Sequence, residues 1–128
     1  MMIAVIIIVI VLLVLFMRSA SKKEERALNS DRLFVGFDDS IHETLSQQDR
    51  IQRSIEHNLG VKKILPSGYS GKIIGTTGNV YMTSLEYCQC MDFKRRRKPC
   101  KHMYFLAAQT GRCSYELQNG RYVIKRNS

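Results

Sequence analysis

A chain of 128 residues with 20 Lys and Arg against 11 Asp and Glu carries a formal charge of +9. The length leaves room for one small domain and excludes a large catalytic one. The charge favours polyanionic partners: nucleic acid, anionic lipid or an acidic protein.

Met1 to Met17 reads MMIAVIIIVIVLLVLFM, without one polar side chain. As a helix it reaches roughly 25 Å, the short end of what spans a bilayer. Lipid offers no partners to backbone groups, so helix is favoured despite the many β-branched residues. Residues 1–17 are expected to form a transmembrane helix, with residues 3–17 in the bilayer. Basic residues follow the segment at Arg18, Lys22, Lys23 and Arg26, and none precedes it. The positive-inside rule then leaves the N-terminus outside and the C-terminal domain in the cytoplasm. A secretory signal peptide is the rival reading. It lacks a positive n-region, and Ser19-Ala20-Ser21 is a weak cleavage site. A core helix fits poorly, because no face of the segment is polar.

Residues 18–39 are polar and read as a juxtamembrane linker or a frayed helix. Residues 40–60 read as an amphipathic helix. Ser40-Ile41-His42-Glu43 has the capping-box pattern. Ile41, Leu45, Ile51, Ile55 and Leu59 form a narrow apolar stripe, and Gly60 is a natural stop. His42 and His57 are expected to be surface histidines.

Val61 to Leu65 is a short apolar run closed by Pro66-Ser67-Gly68. Tyr69 to Gly75 and Val80 to Tyr87 flank Thr76-Thr77-Gly78-Asn79, a hairpin pattern. The alternation leaves open whether Val80, Met82 and Ser84 or Tyr81, Thr83 and Leu85 face the core. A second hairpin is expected where Cys113 to Leu117 and Arg121 to Lys125 flank Gln118-Asn119-Gly120, because Asn-Gly accepts the positive φ of a tight turn. The expected fold class is α+β.

Between these hairpins stand Cys88, Cys90, Cys100 and His102 in the pattern C-x-C-x9-C-x-H. Three thiolates and one imidazole are the donor set of a closed tetrahedral zinc site, so one structural zinc ion is expected. The first pair leaves a strand. The second opens a helix, with Pro99 suited to its start and Gly111 to its stop. The helix dipole should help hold Cys100 as a thiolate. His102 should ligate through one nitrogen and give the other to an acceptor. A Cys88–Cys90 disulfide, the competing use of these residues, would be strained across one intervening residue and disfavoured in a reducing cytosol. Cys113 is left over and reads as a small apolar residue, with a spare or redox-active thiol as the alternative.

The run from Tyr81 to Ala108, with Cys88-Gln89-Cys90, Asp92-Phe93 and Pro99-Cys100-Lys101-His102, resembles the SWIM zinc finger. About thirty residues match closely, and residues 61–128 are expected to form the whole SWIM-like domain. The resemblance implies a ββα zinc module that binds DNA or proteins. Known members usually carry a catalytic domain beside it, and 128 residues leave no room for one.

Lys94-Arg95-Arg96-Arg97-Lys98, followed by Lys101, places a run of cations between the two ligand pairs. Read as a loop pinned at both ends by zinc, it is expected to bind nucleic-acid phosphates. An adaptor that recruits an acidic protein to the membrane is the alternative. No enzyme is expected: the four ligands fill the metal's coordination, and no second His/Asp/Glu cluster supplies a base.

Overall fold

The computed structural model describes residues 1–127 and divides into two compact units, the second beginning at Asp31. The first unit is one helix, α1 (Met2–Leu28), of 27 residues, about 40 Å long. It is long and apolar enough to cross a membrane, and the side chains from Ile3 to Met17 are all exposed. The helix does not stop where the apolar run stops. Arg18 to Leu28 contain no Gly or Pro and are rich in Lys, Glu, Arg and Ala, which propagate a helix well.

The second unit is α+β. A 3-10 turn (Asp39–Glu43) leads into α2 (Leu45–Glu56). Then come β1 (Gly60–Ile64), β2 (Ser70–Ile74), β3 (Val80–Ser84), α3 (Met91–Arg96), α4 (Lys101–Gln109), β4 (Cys113–Gln118) and β5 (Arg121–Arg126). β1, β2 and β3 form one antiparallel sheet in that order, and β4 and β5 form a separate hairpin. Asn119 (φ 52°) and Gly120 (φ 77°) make its turn, as the Asn-Gly pair demands. In β3 it is Thr83 that is buried, with Leu85 just beyond the strand, so the Tyr81, Thr83 and Leu85 set faces the core.

The core centres on α4, which packs against α2, β2, β3 and β4. Met103, Tyr104, Leu106 and Ala107 are fully buried, with Ile51, Ile73 and Leu85 against them. Each such large side chain contributes roughly 1.5–3 kcal/mol of hydrophobic stabilisation. Tyr104 also joins an aromatic cluster, with ring centroids 5.2 Å from Phe34, 5.4 Å from His42 and 6.0 Å from Tyr115. Tyr115 donates its hydroxyl to the Tyr104 carbonyl.

Three expectations need correction. The segment read as a linker or frayed helix is helical in its first part, as a continuation of α1, but its later part is not a linker: Leu33 and Phe34 are buried in the second unit. Val35 N–H there bonds the Leu85 carbonyl at 2.9 Å, and the Arg112 guanidinium holds the Arg32 and Leu33 carbonyls at 2.8 and 3.1 Å. The helix from Ser40 is instead a 3-10 turn capped by Asp38, whose carboxylate accepts the Ser40 N–H at 3.0 Å, and α2 begins at Leu45. The apolar stripe does not mark the buried face. Leu45 and Ile55 are exposed, whereas Gln47, Ile51 and Ser54 are buried. Spaced by four and three residues, these share one helix face.

Candidate metal centre

Cys88, Cys90, Cys100 and His102 come together as expected. Their ligand atoms all lie within 4.8 Å of one another, and all four residues are buried. Local backbone structure explains the convergence. After β3 the chain turns at Leu85 and Glu86, closed by Ser84 N–H to the Tyr87 carbonyl at 2.7 Å. Cys88 returns opposite Thr83 as an antiparallel bridge, with Sγ 3.4 Å from the Thr83 hydroxyl. Cys90 caps α3, its sulfur accepting the Phe93 N–H at 3.4 Å. Cys100 occupies the cap position of α4, preceded by the buried Pro99, and His102 lies on the first turn of that helix.

His102 turns Nδ1 to the sulfurs, 3.9 Å from Cys88 Sγ and 3.8 Å from Cys100 Sγ. Its Nε2 is buried without a hydrogen-bond partner among the described residues. The expected acceptor for that nitrogen is absent. In its place the Tyr81 ring lies 4.8 Å away at 45°, and Gly75 stands close enough that an added Cβ would sit 3.4 Å from Nε2 and 2.9 Å from Tyr81 Cε2.

The thiols cannot all lose their protons on their own. Hydrogen bonds from Cys100 and Cys88 push Cys90 down. The Cys100 bond favours a Cys88 thiolate, yet the Cys90 bond and burial outweigh it and push Cys88 up to about 11. Burial, with the other two sulfurs, pushes Cys100 well up. The cluster is compatible with one metal ion. All four cysteines are free thiols. Cys113 is buried at the start of β4, outside this group, and burial pushes its thiol up.

The basic segment is not a loop. Lys94, Arg95 and Arg96 lie on α3, and Arg97 ends it in the left-handed region (φ 53°). Arg96 turns inward. Its guanidinium binds both Asp92 oxygens (2.9 and 3.1 Å), Gln47 Oε1 (2.9 Å) and the Pro99 carbonyl (3.2 Å). Lys101 is half-buried with Nζ 3.0 Å from His57 Nδ1. Lys94, Arg95, Arg97 and Lys98 remain exposed. Comparison with family models, with curated proteins and with solved structures finds no match for this chain.

Several residues that hold the centre in place carry no motif. Gln47 donates to the Pro99 carbonyl (2.9 Å), directly before Cys100, and to the Tyr104 hydroxyl (3.0 Å). Arg50 binds Asp92 from α2 through two bonds, at 2.9 and 3.2 Å. Burial raises the Asp92 carboxyl, but Arg50 and Arg96 outweigh it and hold it below the usual carboxylate range. The only signal in the sequence was periodicity: Gln47 shares the face of Ile51 and Ser54.

Proposed function

We propose that this protein is a membrane-anchored, SWIM-like zinc module without enzymatic activity, which binds nucleic acid through the phosphate backbone. One observation carries the reading: the Cys/His cluster anchors a short helix whose exposed cations have no acidic partners. Among the described residues Lys94, Arg95, Arg97 and Lys98 make no ion pair, while Arg96 is consumed by the internal brace. Zinc is the natural occupant. A tetrahedral zinc with ordinary bond lengths sets sulfur and nitrogen about 3.6 Å apart, against the 3.8 and 3.9 Å found here. Such a site has no open position for water, which supports a structural role over a catalytic one. The apolar half of α1 anchors the chain, and the basic residues that follow favour a cytoplasmic domain. An adaptor for an acidic protein remains the alternative function, and the salt experiment separates the two.

Phosphate binding releases counterions, so affinity falls with salt at a log-log slope near −0.9 per contact on duplex DNA. With two to four of the exposed cations engaged, the slope should be roughly −1.8 to −3.6, an approximately 10- to 150-fold loss between 50 and 200 mM salt. Arg95→Gln with Arg97→Gln should flatten it by up to about two units and leave metal content unchanged. Affinity should depend little on base sequence. The full chain in detergent, titrated against labelled random duplex, single strand and RNA, makes the measurement. Absence of binding to all three at 50 mM salt would refute the nucleic-acid reading.

A further inference from the structure

On another part of the second unit, a cleft of about 300 Å³ lies between the 3-10 turn and β5, lined by Leu33, Asp39, His42, Arg121, Tyr122 and Ile124 among others. His42 is 6% exposed, and among the described residues its Nε2 has no hydrogen-bond partner. Asp39 Oδ1 is 3.6 Å away, too far for a hydrogen bond, and already accepts the Leu33 N–H at 3.0 Å.

The proton on this imidazole can be placed. Burial lowers the His42 pKa, which favours the neutral ring. Gln47 donates to the Tyr104 oxygen at 3.0 Å, so the single Tyr104 hydroxyl proton is free to go to His42 Nδ1, 2.6 Å away. Nδ1 is then the acceptor, and Nε2 carries the hydrogen. His42 lines the cleft, but this nitrogen is itself buried, with Asp39 Oδ1 the nearest carboxylate at 3.6 Å.

The opposite wall is a strand edge. Tyr122 gives its N–H to Gln48 Oε1 (2.7 Å), and its carbonyl accepts from Gln48 Nε2 (3.0 Å). Its backbone therefore points away from β4. In an antiparallel strand that orientation recurs at every second residue, so the N–H and carbonyl of Ile124 lie on the same outer edge. Among the described residues neither has a partner there. The charged residues of the lining balance, Asp39 and Glu43 against Arg121 and Arg126, which disfavours a polyanion. A peptide backbone supplies both donors and acceptors without net charge, as this wall requires.

We propose that the cleft binds an extended peptide segment of a partner protein, of low net charge, which adds as a strand to the outer edge of β5. The Gln48 side chain already occupies one rung of this edge and would mark the end of the added strand. This site shares no residue with the basic face of α3, so its outcome is independent of nucleic-acid binding.

The test selects a displayed library of random heptapeptides on the full metal-loaded chain in lipid nanodiscs, with empty nanodiscs as the control. Peptides should be enriched on the protein, and at saturation they should slow hydrogen exchange of the Ile124 amide by at least about tenfold. Ile124→Pro removes that one N–H without deleting a bond to β4 and should weaken the selected peptides by about tenfold. Should the proline variant fail to fold, Ile124 exchange in the unaltered chain decides alone. No enrichment over empty nanodiscs, or selected peptides that leave Ile124 exchange unchanged, would overturn the proposal.

Discussion

The two buried histidines, His102 and His42, are built alike and used differently. Each is more than nine-tenths buried, each engages Nδ1, and each leaves Nε2 without a hydrogen-bond partner among the described residues. His102 directs Nδ1 to two sulfurs, and its other nitrogen is shut in beside Tyr81 and Gly75. His42 directs Nδ1 to Tyr104, its other nitrogen lies 3.6 Å from Asp39 Oδ1, and the residue lines a cleft. An unpaired buried nitrogen is a cost of the fold on either side, and only the residues around it differ. Tyr104 and Gln47 lie between the two regions and couple the His42 wall to the carbonyl that precedes Cys100.

The metal side should respond most strongly. A structural zinc contributes roughly 10–16 kcal/mol of apparent binding energy. Chelation, or Cys100→Ser, should abolish cooperative unfolding of the second unit, followed by circular dichroism of the chain in detergent. A Cys100→Ser protein that stays folded and holds one tight metal ion would break the assignment of the centre.

Next comes the connection between the two regions. Gln47→Ala removes bonds to the Pro99 carbonyl, the Tyr104 hydroxyl and Arg96. It leaves buried polar groups unpaired, at a cost of about 2–4 kcal/mol. Urea denaturation of the metal-loaded chain should show that loss while metal stoichiometry stays at one. An unchanged midpoint would mean that the two sides are not coupled through Gln47.

A smaller effect tests how tightly the His102 side is closed. Gly75→Ala places a methyl 2.9 Å from the Tyr81 ring and 3.4 Å from His102 Nε2, so the ring must shift. Overpacking of this kind costs about 1–3 kcal/mol. Competition with a metal indicator should find affinity reduced about tenfold or more. Unchanged affinity would show that the nitrogen has room after all.

The smallest effect concerns pH on the His42 side. Burial holds the folded His42 pKa below the ordinary value of 6.5, outweighing Asp39. Between the folded and unfolded values the unfolded chain binds more protons, so stability rises with pH. The contribution is present above about pH 6.5 and is lost as pH falls from there through the folded value. His42→Asn should remove this component, and the variant's midpoint should vary less between pH 7.5 and 5.5 than that of the parent chain. Equal slopes would assign the acid sensitivity to the metal ligands alone.

Local signals in the chain were sufficient for the apolar N-terminal helix, the hairpin at Asn119-Gly120, the strand before Cys88 and the four-residue cluster. Each depends on neighbours in sequence: a long apolar run, a turn needing positive φ, and ligand pairs one residue apart. Tertiary packing decided the rest. The apolar residues of α2 suggested a face through Leu45 and Ile55, but the Pro99 carbonyl just before α4 and the Tyr104 hydroxyl on it meet that helix. A buried amide satisfies those groups and an alkyl chain cannot, so Gln47 lies inside and Leu45 outside. For the same reason Arg96, one of five consecutive cations, was indistinguishable from its neighbours until Asp92, Gln47 and Pro99 converged on it. His42, expected at the surface, is buried where Tyr104, 62 positions away, meets its Nδ1. Sequence by itself determined where chemistry of short range would form. The fate of most remaining polar groups depended on partners brought from distant parts of the chain, because burying a donor or acceptor is costly unless a partner meets it there.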